Sequence, residues 1–262
     1  MSKPHQFVFA LGGAIRSLLL TAVGITGFLT IWYLASTALN PVLLPQPAAV
    51  LDAYRELVAD GSLAKDTSAS LIRVFGGFAI AACIAPPLAL LLASSWTLRC
   101  IFLPIVTLIR PIPPIAWIPL AILWFGLGDP PSYFITALAA FFPIFLNSFA
   151  GGQSLETEHV NAARSLGAAP ASLLLRIMLP SALPLIVTGL RIGLGQAWMA
   201  VVTAELVAAQ SGLGFMIQAS RLNLETSRVL VGMTLIGILG ASMTALLSVI
   251  ERKLIVPWNY AK

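Results

Sequence analysis

Residues 160–184 read VNAARSLGAAPASLLLRIMLPSALP. The stretch holds two short runs of helical spacing, separated by Gly167 and bounded by Pro170 and Pro180. A glycine can end the first helix in a left-handed cap, and a proline suits the first turn of the second helix. We expect the second helix to stop before Pro180, because proline interrupts a helical pattern. The stretch therefore predicts a compact helical hairpin.

The sequence around this hairpin is typical of an integral membrane protein. Of its 262 residues, 58% are hydrophobic and only 10% are charged, whereas soluble domains have about 25% charged residues. A helix needs about 20 apolar residues to cross a bilayer. The sequence therefore predicts an all-α membrane protein, a single domain over residues 1–262 in which a loop, 153–183, carries the hairpin. The six predicted spans are 15–38, 71–94, 101–127, 132–152, 184–208 and 229–250.

The distribution of basic residues predicts the orientation of the spans. If the N-terminus is cytoplasmic, the inner segments hold eight Lys and Arg and three Glu, and the outer segments hold four Lys and Arg and six Asp and Glu. Both termini and the loop 153–183 are then cytoplasmic. The first span is too long for a secretory signal, whose apolar part has about 7 to 15 residues. The excess of positive charge follows from this topology and requires no nucleic-acid partner.

The third predicted span contains RPIPPIAWIP, which begins at Arg110. A broken helix at membrane depth is tolerated only where protein or a wet cavity satisfies its backbone. The proline cluster therefore indicates a span that lines the functional core, with a simple kink in a packed helix as the alternative. Arg110 is either a pathway residue that meets an anion or a structural charge bound to freed carbonyls or to Glu205.

Two further charges fall in the fifth predicted span. Charged residues inside spans are candidates for function, so Glu205 and Trp198, which shares its helix face, join Arg110 as candidates for a translocation pathway. Glu205 would repel anions, and a helix-anchoring role is favoured for it. Arg191 is expected to extend to the inner interface. Cys83 and Cys100 are interpreted as small core residues, without a disulfide or metal site.

Features of an enzyme are missing from the sequence. It has no G-x-x-x-x-G-K-[ST] stretch and no Gly-Lys pair, so it lacks the phosphate-binding loop of a P-loop ATPase. His5 and His159 both lie in predicted cytoplasmic segments, away from any buried pair of carboxylates. We therefore predict a chain that is not itself catalytic.

The hairpin resembles the EAA loop of permease subunits of bacterial ATP-binding-cassette (ABC) importers. Both have a small-residue pair, a glycine four residues after its second member, and then Ile-x-Leu-Pro. Further stretches are similar to the nitrate, sulfonate, taurine and bicarbonate branch of that family, and together they cover nearly the whole chain. The residues and stretches that carry the resemblance are Ala162, Ala163, Gly167, Ile177, Leu179, Pro180, LPQPAAVLDA, SLIRVFGGF, RPIPPIAWIPLAILWFGLG and SGLGF.

The resemblance implies a type I ABC importer permease fold with six transmembrane helices, located in the bacterial inner membrane. In that family the loop forms a coupling helix that docks on an ATPase subunit. Asn161 stands where the family has an acidic residue, which removes one expected salt bridge; Glu156 or Glu158 is an alternative source of that charge. The residues assigned to docking by this resemblance are Asn161, Ala162, Ala163, Arg164, Ser165, Gly167 and Pro180.

The resemblance also implies partners. They are two ABC ATPase subunits, which would bind ATP and magnesium, a second copy of the permease, and a periplasmic or lipid-anchored solute-binding protein. This chain would hold no cofactor itself and would lie in membrane lipid. Arg110 and Arg191 favour a small anion resembling nitrate, a sulfonate, taurine or bicarbonate, although cyanate and thiamine or riboflavin precursors enter through similar permeases. An ion-coupled transporter or channel and a structural membrane scaffold are the alternatives.

Overall fold

The structure is a computed structural model that describes residues 3–155, 160, 163 and 165–259. The regular structure of these residues is helical. A short 3-10 turn, Pro114–Trp117, precedes α5, and a π-turn, Leu174–Met178, joins α7 to α8. The α-helices are α1 (Lys3–Ala38), α2 (Pro47–Ala59), α3 (Ser62–Ser94), α4 (Trp96–Ile109), α5 (Ile118–Phe125), α6 (Asp129–Gln153), α7 (Pro170–Leu173), α8 (Leu179–Ala208), α9 (Leu213–Leu222) and α10 (Thr226–Asn259).

Within the described residues, five helices are long and apolar enough to cross a membrane. They are Leu19–Ala38, Ser62–Ser94, Asp129–Gln153, Ala171–Ala208 and Thr226–Val249. A sixth span is broken, since Trp96–Ile109 and Pro114–Phe125 meet at an angle of 93°. The predicted number of six spans agrees with this arrangement when the bent pair is counted as one.

The third span is interrupted at its proline cluster. The span predicted over 101–127 is a broken helix, because α4 ends at Ile109 and the chain turns before α5 begins at Ile118. Pro111, Pro113 and Pro114 lack the N–H groups that a continuous helix needs, and each disfavours the helical conformation in the residue before it. The proline cluster thus breaks the helix instead of kinking it.

The centre of the molecule is a unit of α3, α6 and α8, and its largest fully buried side chains include Phe145, Ile144 and Val201. Glycines allow these helices to approach closely. A β-carbon on Gly193 of α8 would lie 2.7 Å from Cγ1 of Ile144 in α6. This spacing leaves no room for a larger residue, so α6 and α8 are held as one packed body.

The peripheral helices pack less tightly. Most residues of α1 from Leu19 onward are exposed, and the indole N–H of Trp32 donates a hydrogen bond of 3.1 Å to the carbonyl oxygen of Pro45. Cys83 and Cys100 are also exposed. Their interpretation as core residues is therefore wrong, because they lie on outward faces of α3 and α4.

The predicted hairpin is partly confirmed. Gly167 has a φ of +81°, and the N–H of Ala168 donates to the carbonyl oxygen of Ala163 at 3.0 Å, which is the left-handed cap expected at this glycine. The predicted stop before Pro180 is wrong. The π-turn closes with a bond from the N–H of Leu179 to the carbonyl of Leu174, and Pro180 occupies the first turn of α8. A proline is tolerated there because the wider turn has already interrupted the regular ladder.

Candidate functional site

The hairpin has a buried base and an exposed tip. Leu173 and Met178 are 6% and 4% exposed, and Met178 packs with Leu90, Ala182 and Ile186 of the bundle. Leu166 at the tip is 89% exposed. The buried base ties the second arm of the hairpin to the bundle, and the leucine at the tip is exposed to any partner that binds there.

The structure describes only part of the predicted docking set. Ser165 and Gly167 are exposed at the tip, Ala163 is half-buried, and Pro180 is half-buried at the start of α8. The residues Asn161, Ala162 and Arg164 lie outside the described residues. The four described positions follow the backbone of the hairpin from its tip into α8, so these four residues lie at one end of the bundle.

The opposite end of the bundle contains a buried charge network that the sequence analysis missed. Its centre is Arg73 of α3, whose side chain is 4% exposed and contacts the fully buried carboxylate of Glu205 at 2.7 Å. Nε and Nη2 of Arg73 also donate to one carboxylate oxygen of Asp129, at 2.9 and 2.6 Å. The remaining donors reach Ser211, namely its carbonyl at 2.6 Å and its hydroxyl at 2.7 Å.

Glu205 accepts further hydrogen bonds that fix its position. The hydroxyl of Ser70 lies 2.8 Å from both carboxylate oxygens, and the N–H of Gly214 donates to Oε2 at 3.0 Å. These contacts tie α8 to α3 and to the start of α9. Because a buried charge is costly without such partners, the contacts support the anchoring role expected for Glu205 and explain why it does not reach Arg110.

A signal for this network was present in the sequence. Arg73 lies inside the second predicted span, in SLIRVFGGF, and an intramembrane charge is a candidate by default. Its partners could not be read from spacing, because Asp129 and Glu205 are 56 and 132 residues away. The partnership depends on helix packing.

Arg110 lies at the end of α4, beside a cleft of about 300 Å³. The cleft lies between the break of the third span, α6 and α8, and Gln196 of α8 lines it as well. Among the described residues the side chain of Arg110 has no partner in a hydrogen bond or an ion pair, and it is exposed. The structural alternative, an arginine bound to freed carbonyls or to Glu205, therefore does not describe its contacts.

Trp198 and Arg191 line a second cleft, of about 610 Å³, between α8 and α10. The indole N–H of Trp198 donates to the carbonyl of Ile236 at 3.0 Å. Arg191 pairs with Glu251 at 2.7 Å, and Glu251 also accepts from the hydroxyl of Thr188. The charge of Arg191 is thus matched by a residue of a neighbouring helix, and its position at the inner interface stays a prediction.

Comparisons with known proteins agree with the geometry. Residues 85–256 match the family described as the inner membrane component of binding-protein-dependent transport systems. A probable ABC transporter permease of Brucella melitensis is 41% identical over 244 residues, covering 93% of this chain and 97% of that protein. The taurine transport permease of Escherichia coli is 38% identical over 238 residues, or 88% of this chain and 86% of that protein.

A more distant relative and a solved structure extend the comparison. The bicarbonate transport permease of Synechococcus elongatus is 32% identical over 250 residues, or 91% of this chain and 90% of that protein. A chain of the inward-facing MetNI methionine ABC transporter superposes with a TM-score of 0.63, at 22% identity, over 71% of this chain and 92% of that chain. This structural likeness supports the predicted permease fold.

The two lines of comparison and the helical architecture lead to one assignment, and they confirm the family and the fold class predicted from the hairpin. The chain belongs to the binding-protein-dependent transport permeases, as a multi-pass inner-membrane subunit of an ABC importer that works with ATPase and binding-protein partners and is not itself an enzyme.

Proposed function

We propose that two copies of this chain form the membrane pathway of an ATP-driven importer for a small anion. The observation that carries the proposal is the hairpin, in which an exposed tip stands on a buried base and continues through the π-turn into α8. Such a connection would pass a displacement of the tip directly to a membrane-spanning helix. One chain offers one hairpin, so a homodimer would engage two ATPase subunits.

The energy source in this proposal lies in the partners. Two ATPase subunits would bind ATP and magnesium and hydrolyse the nucleotide, and the permease would couple their closure to alternating access. The hairpin and both termini would lie on the cytoplasmic side, since the Lys and Arg distribution favours that orientation. A periplasmic or lipid-anchored binding protein would deliver solute to the opposite face.

The proposed solute class follows from the charge of Arg110 and from the solutes that two relatives transport. The named relatives transport taurine and bicarbonate, and both molecules carry an anionic oxygen-bearing group. Arg110 is exposed beside a cleft and is not paired with any described residue. We propose that Arg110 and Trp198 line the pathway, and that Glu205 anchors the helices around it.

Copurification of an ATPase tests the docking role of the hairpin. The chain is isolated from its native membranes, as wild type and as Gly167→Pro, and the ATPase activity of the preparation is measured. Proline fixes φ near −65°, which is incompatible with the +81° at Gly167. We expect ATPase activity to copurify with the wild type and to be absent from the preparation of the variant.

Gly61→Pro is the matched control for this experiment. Gly61 has a φ of +76°, and a β-carbon at either glycine would have no atom within 4 Å, so the local strain is similar. Gly61 follows α2, outside the hairpin. The docking role is wrong if the wild type carries no ATPase, or if both variants lose it equally.

A further inference from the structure

The cleft at the break of the third span is apolar apart from two side chains. Its walls are apolar and are contributed mainly by α6 and α8, including Phe142 and Ile192. The only polar side chains among its lining residues are Arg110 and Gln196. They come from different helices, and both are exposed toward the cleft region in the isolated chain.

Neither polar side chain is satisfied by the rest of the described chain. Two other arginines that lie in predicted spans are paired, since Arg73 contacts Glu205 and Arg191 contacts Glu251. Arg110 and Gln196 make no side-chain hydrogen bond to any described residue. A charge at membrane depth that faces lipid is expensive. In the assembled transporter this arginine therefore requires water, a solute or a partner chain.

We propose that Arg110 and Gln196 form a transient contact site for the oxyanion group of the transported solute, a carboxylate or a sulfonate. This proposal deepens the proposed function and rests on it. The planar guanidinium of Arg110 can donate two parallel hydrogen bonds to such a group. The amide of Gln196 supplies a neutral donor from α8.

The rest of the cleft fits the size and chemistry of such a solute. A volume of about 300 Å³ lies at the low end for small-molecule sites, so it suits an ion of few heavy atoms. The apolar walls can receive a short carbon chain. A cation is disfavoured by Arg110, and one guanidinium with one amide holds an anion weakly enough for it to leave, which transport requires.

Charge-selective labelling of a cysteine at position 196 tests the site. In a background with Cys83→Ser and Cys100→Ser, Gln196→Cys is exposed in membrane vesicles to two thiosulfonate reagents, one with a sulfonate and one with a quaternary ammonium. We expect both to react, because an open cleft beside an unpaired arginine would admit water, and the sulfonate reagent to be favoured. If the charge of Arg110 acts over about 8 Å in water, Arg110→Gln should lower the ratio of the two rates about fivefold, because the reagents differ by two unit charges.

Two controls make the result specific. Arg99→Gln removes an arginine of the same helix, roughly 16 Å along its axis, and should leave the ratio unchanged. Leu123→Cys, on an exposed face of α5, should react with neither reagent if that face meets lipid. The proposal is overturned if Gln196→Cys is unreactive, or if its preference for the sulfonate reagent is absent or survives Arg110→Gln.

Failure of this proposal can be told apart from failure of the proposed function. The labelling needs neither an ATPase nor a known solute, whereas copurification needs no anion site. If the wild type copurifies with an ATPase but Gln196→Cys reacts equally with both reagents, the importer function stands and the oxyanion contact is wrong. A charge-selective cleft without a copurified ATPase would retain the oxyanion contact and remove the proposed docking role of the hairpin.

Discussion

Removing Arg73 should destabilise the protein more than any change at an exposed charge. In Arg73→Met the carboxylate of Glu205, whose side chain is fully buried, loses its cation while Ser70 and Gly214 still hold it. Breaking a buried ion pair from one side costs about 3–5 kcal/mol. Asp129 is 59% exposed and remains hydrated, so it adds little to this penalty.

The double variant Arg73→Met/Glu205→Met separates the pair from its surroundings. Removing both charges eliminates the uncompensated carboxylate, so the double variant should be no less stable than Arg73→Met alone. The corresponding coupling energy should be at least about 2 kcal/mol, in the upper part of the range for contacting residues. Arg55→Met is the control, because its pair with Asp52 is exposed on both sides and should be worth less than about 1 kcal/mol.

Thermal unfolding in detergent, followed by tryptophan fluorescence, measures these effects. A loss of 3–5 kcal/mol corresponds to a fall in Tm of roughly 10 °C for a chain of this size. We expect that fall for Arg73→Met and a shift of less than about 3 °C for Arg55→Met. Additive shifts for Arg73→Met and Glu205→Met in the double variant would refute the reasoning, because independent sites share no ion pair.

Two further predictions concern packing. A β-carbon on Gly77 would lie 2.6 Å from that of Thr136, so Gly77→Val should lower the free energy of unfolding by at least about 2 kcal/mol, because it forces α3 and α6 apart. The control Gly195→Ala has no atom within 4 Å of the new carbon, and its Tm should be unchanged or slightly higher. Equal losses of stability in the two variants would contradict this prediction. Trp198→Phe removes the hydrogen bond to the carbonyl of Ile236 and should lower the free energy of unfolding by about 1 kcal/mol. The same unfolding assay should show a lower Tm. An unchanged Tm would show that the bond contributes nothing to stability.

The spans and the hairpin could be predicted because both are local properties. A helix that crosses lipid must be apolar over its whole length, which leaves a continuous signal in the sequence. Gly167 predicted a left-handed cap because a residue without a β-carbon adopts positive φ at no steric cost. The prolines after Arg110 predicted a disturbed helix, but the angle of 93° between its halves depends on how α5 packs against α6.

The charge network and the position of Pro180 inside a helix could not be predicted in the same way. Arg73, Asp129 and Glu205 meet only because α3, α6 and α8 pack side by side at the end of the bundle opposite the hairpin, and no spacing along the chain encodes that meeting. Pro180 predicted the end of a helix by a local rule. The rule failed because the π-turn at Leu174–Met178 interrupts the regular hydrogen bonds before Pro180, so the proline can start the next helix. Burial of Met178 against the bundle stabilises this turn.

The positions of the hairpin and the charge network at opposite ends of one packed unit constrain how the protein could move. α8 continues from the hairpin to Glu205, and close glycine contacts to α6 resist bending between these points. A displacement of the hairpin would then turn α3, α6 and α8 together, with freedom concentrated at the break of the third span. Gln196 lies on the packed unit and Arg110 at the break. The same rotation would therefore change the distance between the two side chains proposed to hold the anion, and would couple docking at the tip to release of the solute.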